Sequence, residues 1–161
     1  MTHEERRAKI ESYGRGHEMV VEALKEFPKQ MWKYKPGPDR WSIHEIVVHL
    51  ADAELSGAVR ARYFIAEPGK TVGFYDQEAW ARHLNYHSQS TADALEMFKW
   101  LRKTTYELVK SQPDSVFANK VTHPEHGEIS FEWWIESYDD HVKKHIGQMR
   151  RNFEAWKGSQ K

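Results

Sequence analysis

Ser130–Trp156, SFEWWIESYDDHVKKHIGQMRRNFEAW, carries the strongest helical pattern in the chain. Phe131, Trp134, Ile135, Tyr138, Val142, Ile146, Met149, Phe153 and Trp156 recur mostly at three- and four-residue steps, which gathers them on one face of a 3.6-residue helix. Ser130 is placed to cap its first turn. A helix with so broad an apolar face is stable only against partners, and the rest of the chain supplies them.

A first helix is predicted from Ile10, Tyr13, His17, Val20, Val21, Leu24 and Phe27, ended by Pro28. Lys35-Pro36-Gly37-Pro38 reads as a rigid connector. Ser42 and Glu45 form a capping box for a second helix, whose apolar side is Ile43, Ile46, Val47, Leu50, Ala58, Ala61 and Ile65, before Glu67-Pro68-Gly69 stops it. A third helix begins around Ser90-Thr91, contains Leu95, Phe98, Leu101, Leu108 and Val109, and ends by Pro113. Residues 68–90 read as a long connection with a short helix near Asp76–Leu84, and residues 116–130 as extended and turn-like. Four amphipathic helices must bury their stripes on one another, so the expected fold is all-α, a four-helix bundle in one domain over 1–161. Its long connections argue against plain up-down-up-down order.

Lys and Arg number 24 and Asp and Glu number 24, so the chain lacks the positive excess that nucleic-acid binding needs. The local run Lys143, Lys144, Arg150, Arg151 reads as a solvated helix face. With no cysteine, thiolate metal sites, disulfides and cysteine nucleophiles are excluded. No apolar stretch approaches membrane-spanning length and no signal segment opens the chain, so a cytoplasmic protein without membrane partners is expected.

Ten histidines are the informative feature. His141 and His145, four apart, point within roughly 40° of each other one turn apart, a spacing that lets two imidazoles share one metal ion. The same spacing arises by chance, and His83 and His87 repeat it where a continuous helix is doubtful. His123 and His126 flank Pro124 in a turn, either a surface loop or the border of a pocket. His17 lies on an apolar stripe as a core histidine would, while His3 and His44 are expected to be exposed at helix starts. Periodicity puts His49 at the flank of its stripe and does not select it. Glu54 projects from the apolar side between Leu50 and Ala58: buried, it needs a cation, a donor or a metal site, and otherwise it leans out to solvent.

Taken together, Trp41-Ser42-Ile43-His44-Glu45-Ile46-Val47-Val48-His49-Leu50-Ala51-Asp52, Tyr75-Asp76-Gln77-Glu78-Ala79-Trp80-Ala81, His123-Pro124-Glu125-His126-Gly127-Glu128-Ile129-Ser130 and Tyr138-Asp139-Asp140-His141-Val142-Lys143-Lys144-His145 resemble the DinB-like superfamily in its YfiT branch. Members of that branch are called metal-dependent hydrolases and include bacillithiol transferase-like proteins. The resemblance runs from about Lys35 to Trp156 and implies a bundle holding one divalent ion, nickel or zinc, on His49, His141 and His145. Gln148 stands where some relatives have a further histidine.

Three neutral imidazoles leave a divalent ion open positions, at which a bound thiol or water is activated near neutral pH. Asp52, Glu54 and Asp140 are the nearby candidates for orienting the ligands or acting as base. The expectation is transfer of a low-molecular-weight thiol to a small-molecule electrophile, with metal-dependent hydrolysis as the alternative. A reading of another class is a non-catalytic, stress-related metal-binding protein; on any of these readings a homodimer is expected, with a dimer face among exposed apolar residues such as Trp80, Trp100 and Trp133.

Overall fold

Capping chemistry sets where the helices begin. The computed structural model describes residues 1–160, with six α-helices in chain order: α1 (His3–Gly14), α2 (Gly16–Leu24), α3 (Ile43–Ala66), α4 (Gln77–His83), α5 (Thr91–Lys110) and α6 (Phe131–Ser159). A hairpin of β1 (Lys120–His123) and β2 (Gly127–Ser130) precedes α6. Ser42 Oγ accepts the Glu45 N–H while Glu45 Oε2 accepts the Ser42 N–H, which is the capping box expected for α3. Ser90 and Ser130 cap α5 and α6 through their hydroxyls. Thr2 and Glu5 close a further box at α1.

The bundle is built on diagonals. α3 packs against α5 and α6, and α1 with α2 packs against the same two helices, so α1/α2 and α3 occupy opposite corners. The chain from 25 to 42 must therefore cross the bundle, and so must the chain from 111 to 130. This is the physical reason for long connections and for the departure from up-down order. In the second crossing β1 pairs antiparallel with β2, from Lys120↔Ser130 to His123↔Gly127, and runs directly into α6. A bridge between Thr71 and Thr122 ties the segment after α3 to this hairpin, holding Phe74 and Tyr75 beside it.

Two expectations require correction. The first helix is not continuous: it breaks at Arg15, between Gly14 and Gly16, where the Tyr13 carbonyl accepts a hydrogen bond from Arg102 Nη1 (3.1 Å). His44 is not exposed but 1 % accessible, its Nδ1 bonded to Thr91 Oγ1 and its Nε2 to the Tyr86 carbonyl. Residues 42–51 are all buried, because α5, α6 and the turn Tyr86–Ser88 enclose the first half of α3 from every side. An amphipathic stripe has no meaning on an enclosed helix.

The core forms two apolar clusters, one around Ile43–Ala51 with Val142, Ile146 and Met149, the other around Ala61, Phe64, Phe131 and Trp134. Between them along α3 lies Glu54, 1 % exposed. It accepts a hydrogen bond from the Tyr13 hydroxyl, and Arg102 Nη2 lies 2.6 Å from its Oε2 as an ion pair whose angle falls short of a hydrogen bond. No helix among the described residues is long and apolar enough to cross a membrane.

Candidate metal centre

α3 brings His49 and α6 brings His141 and His145 to one point between the two helices. His141 Nε2 lies 3.2 Å from His49 Nε2 and 3.1 Å from His145 Nε2. Nitrogens about 2.1 Å from one shared ion are about 3.0 Å apart at right angles and about 3.4 Å apart at tetrahedral angles, so the observed spacings suit one common ion. Burial holds all three imidazoles well toward the neutral form, with each other's charge adding to the effect at His49, and His141 is pushed down to about 3. Neutral imidazoles are what a divalent cation requires. The donor set therefore fits such an ion.

The other ring nitrogens fix which lone pairs face inward. His145 Nδ1 donates to Gln148 Oε1 (2.9 Å), since the amide oxygen can only accept, and this leaves the His145 Nε2 lone pair free. His49 Nδ1 lies 3.2 Å from the Tyr75 hydroxyl. Tyr75 lies next to the Tyr86 hydroxyl, and Tyr86 donates to Asp52 Oδ2 at 2.6 Å. A polar chain thus runs from His49 through two phenols to a carboxylate. Trp41 walls the other side, with its ring centre 4.6 Å from His49 and nearly parallel to His145.

The three carboxylate candidates separate. Asp52 reaches the histidines through Tyr86 and Tyr75, and half-burial raises its pKa. Glu54 is committed to Tyr13 and Arg102 and bonds no histidine. Asp140 is half-exposed, 3.5 Å from Lys9 Nζ, and also bonds no histidine. His83 and His87 share no helix face, because Asn85 takes a left-handed conformation between them.

A cavity of about 410 Å³ opens onto His49 and His141. Ala53, Arg60, Tyr75 and Tyr138 line it, and the hairpin turn supplies His123, Glu125 and His126. Of the two alternatives for that turn, the pocket border is the one observed. Tyr138 reaches in because Gly57 faces it: a Cβ there would lie 2.6 Å from Tyr138 Cζ.

The model of the DinB superfamily matches residues 13–149. The chain belongs to the DinB superfamily. It is 26% identical over 109 residues to a protein of Oceanobacillus iheyensis named "putative metal-dependent hydrolase", covering 68% of this chain and 63% of that one. It is 24% identical over 110 residues to the similarly named YfiT of Bacillus subtilis, covering 68% and 62%. The match thus spans somewhat under two thirds of these relatives' length. The solved structure of Bacillus subtilis YfiT, described as having "an unusual four-helix bundle topology", superposes with a TM-score of 0.87 at 18% identity, over 94% of this chain and 87% of that one. The diagonal connections derived above belong to that same topology.

Within this DinB-superfamily bundle, several residues around the histidines carried no periodic signal in the sequence. Tyr75 and Tyr86 come from the connection between α3 and α5, and Trp41 from the loop before α3. Gln148, one turn beyond His145, was visible only as a departure from relatives, and its role is to orient that imidazole. Of the three tryptophans considered for a dimer face, Trp100 and Trp133 are 53 % and 37 % exposed, whereas Trp80 packs edge-on against Tyr75.

Proposed function

We propose that this chain is a divalent-metal-dependent enzyme whose cavity admits a small molecule to the His49–His141–His145 centre, and that it transfers a low-molecular-weight thiol to an electrophile. The observation carrying this reading is the cavity itself: a purely structural site is closed by protein ligands, whereas here two of the three histidines line a substrate-sized space. A nickel- or zinc-type ion supplies Lewis acidity that favours a thiolate, or a hydroxide, at neutral pH. The protein's own part is orientation. Gln148 and Tyr75 hold the His145 and His49 rings, Trp41 excludes water behind them, and Asp52 anchors the phenol chain. With no cysteine in the chain, the thiol is a co-substrate. Hydrolysis is the second reading, favoured by the names of the relatives.

The test is metal content by mass spectrometry on untagged protein beside His141→Ala, followed by activity of the loaded protein. About one divalent ion per chain, lost in the variant, and metal-dependent coupling of 2-mercaptoethanol to 1-chloro-2,4-dinitrobenzene support transfer. Cleavage of p-nitrophenyl esters without thiol coupling selects hydrolysis. Bound metal with neither activity selects the non-catalytic role, and a folded wild type that refuses nickel and zinc ends the metal reading.

A further inference from the structure

Arg60 is the guanidinium that lines the cavity, and it is under-used. Its Nη2 donates to the Gly73 carbonyl (3.0 Å) and the guanidinium lies beside the Tyr138 hydroxyl, but no carboxylate lies within ion-pair reach among the described residues. By contrast Arg6, Arg102 and Arg150 each pair with an acidic side chain. Eleven residues separate Arg60 from His49, which places the two about 20° apart on the same face of α3, three turns from each other. The small Ala53 lies between them and leaves the floor of the cavity low.

Across from Arg60, His123 is 4 % exposed, and its Nδ1 accepts the Glu125 N–H at 3.2 Å. A neutral imidazole accepting at Nδ1 carries its hydrogen on Nε2. That Nε2–H has no protein partner, yet it is not among the sealed unpaired atoms, so it opens to the cavity that His123 lines. Arg60 lies close enough for its charge to lower the His123 pKa further below the value set by burial. Two carboxylates, Asp76 and Glu125, stand at the same mouth, but Asp76 Oδ1 is occupied by the Ala79 N–H and neither pairs with Arg60.

We propose that Arg60 and the Nε2–H of His123 form a binding site for an oxyanion, a carboxylate or phosphate, at the far end of the cavity from the three histidines. A fixed neutral donor beside an uncompensated guanidinium is the arrangement that selects a charged oxygen acceptor over water. Read with the proposed function, on which this extension rests, the oxyanion belongs to the substrate and anchors it by its remote end, leaving the other end toward His49 and His141. The turn residues His123, Glu125 and His126 also bring potential ligand atoms within 4.8 Å of one another. A metal there would have to break the Glu125 N–H bond to His123, which disfavours a second cation site.

The experiment uses the metal-free full chain, so it is independent of the three-histidine centre. The imidazole resonances of His123 are followed by NMR during titration with sodium acetate and, separately, sodium phosphate, against sodium chloride at equal ionic strength. Saturable shifts with acetate or phosphate, weakened at least 10-fold in Arg60→Met and partly restored in Arg60→Lys, are expected; circular dichroism verifies that both variants fold. The tighter of the two anions identifies the headgroup class. Identical responses in wild type and Arg60→Met, or no response beyond chloride, would overturn the site. So would preferential perturbation of His123 and His126 by added zinc. Failure here, with one metal per chain still lost in His141→Ala, leaves the proposed function standing without its anchor; loss of metal binding with these shifts intact does the reverse.

Discussion

Replacing Glu54 by Leu separates a structural from a catalytic role for this carboxylate. Glu54 and Arg102 are each 1 % exposed, so removing the acid leaves a buried guanidinium with the Tyr13 carbonyl and the Tyr13 and Phe98 rings as its remaining partners. The Tyr13 hydroxyl also loses its acceptor. Breaking a buried pair on one side costs about 3–5 kcal/mol. With an unfolding entropy of about 2.1 cal/mol/K per residue, a chain of this length loses about 0.34 kcal/mol per degree, so Tm is expected to fall by about 9–15 °C. Arg102→Met is expected to cost a similar amount, because it strands the carboxylate. The double variant Glu54→Leu/Arg102→Met replaces both charges by apolar groups and is expected within about 2 kcal/mol of wild type, far from the sum of the singles. Urea unfolding followed by circular dichroism measures all four corners of this cycle, and mass spectrometry measures bound metal. Additive losses would refute the coupling. A folded Glu54→Leu that no longer binds metal would show that Glu54 serves the histidine centre instead.

Gly57→Ala is expected to lower stability by about 1–2 kcal/mol despite a helix-propensity gain of about 1 kcal/mol, because the new methyl meets the Tyr138 ring and Tyr138, stacked on Trp134 at 4.9 Å, cannot withdraw; a Tm increase would contradict this packing. Tyr75→Phe removes the hydroxyl at His49 Nδ1 and is expected to weaken metal affinity about 10- to 100-fold with little change in Tm, measured by chelator competition; unchanged affinity would dismiss the phenol chain as a ligand support. Stability of the metal-free protein is expected to fall as pH drops below about 6.5. Burial lowers the pKa of His17, His44, His49, His123, His141 and His145, so the unfolded chain binds more protons and each such histidine removes up to about 1.4 kcal/mol per pH unit. Asp52 and Glu54, whose pKa values burial raises, oppose this slope but are outnumbered. Urea midpoints at pH 7.5, 6.5 and 5.5 measure it, and a midpoint that rises with acid would reverse the sign.

The helices, their serine caps and the short helix at Gln77–His83 were legible because they depend on neighbours three or four residues away. Even the pairing of His141 with His145 is local geometry. The break at Arg15 falls between Gly14 and Gly16, a local signal, but the hydrogen bond to the Tyr13 carbonyl beside it comes from Arg102, 87 positions beyond Arg15, and was not legible.

What the sequence determined by itself is a set of amphipathic helices with long crossings, and a family resemblance that singled out His49. Tertiary structure alone decided that His44 and His49 are buried, that Glu54 pairs with Arg102, and that Tyr75 and Arg60 share a cavity with the histidines. Periodicity reports one face of one helix. Where three neighbours enclose a helix, as around Ile43–Ala51, every face is interior, and which polar group meets which is fixed only by how the helices are laid against one another.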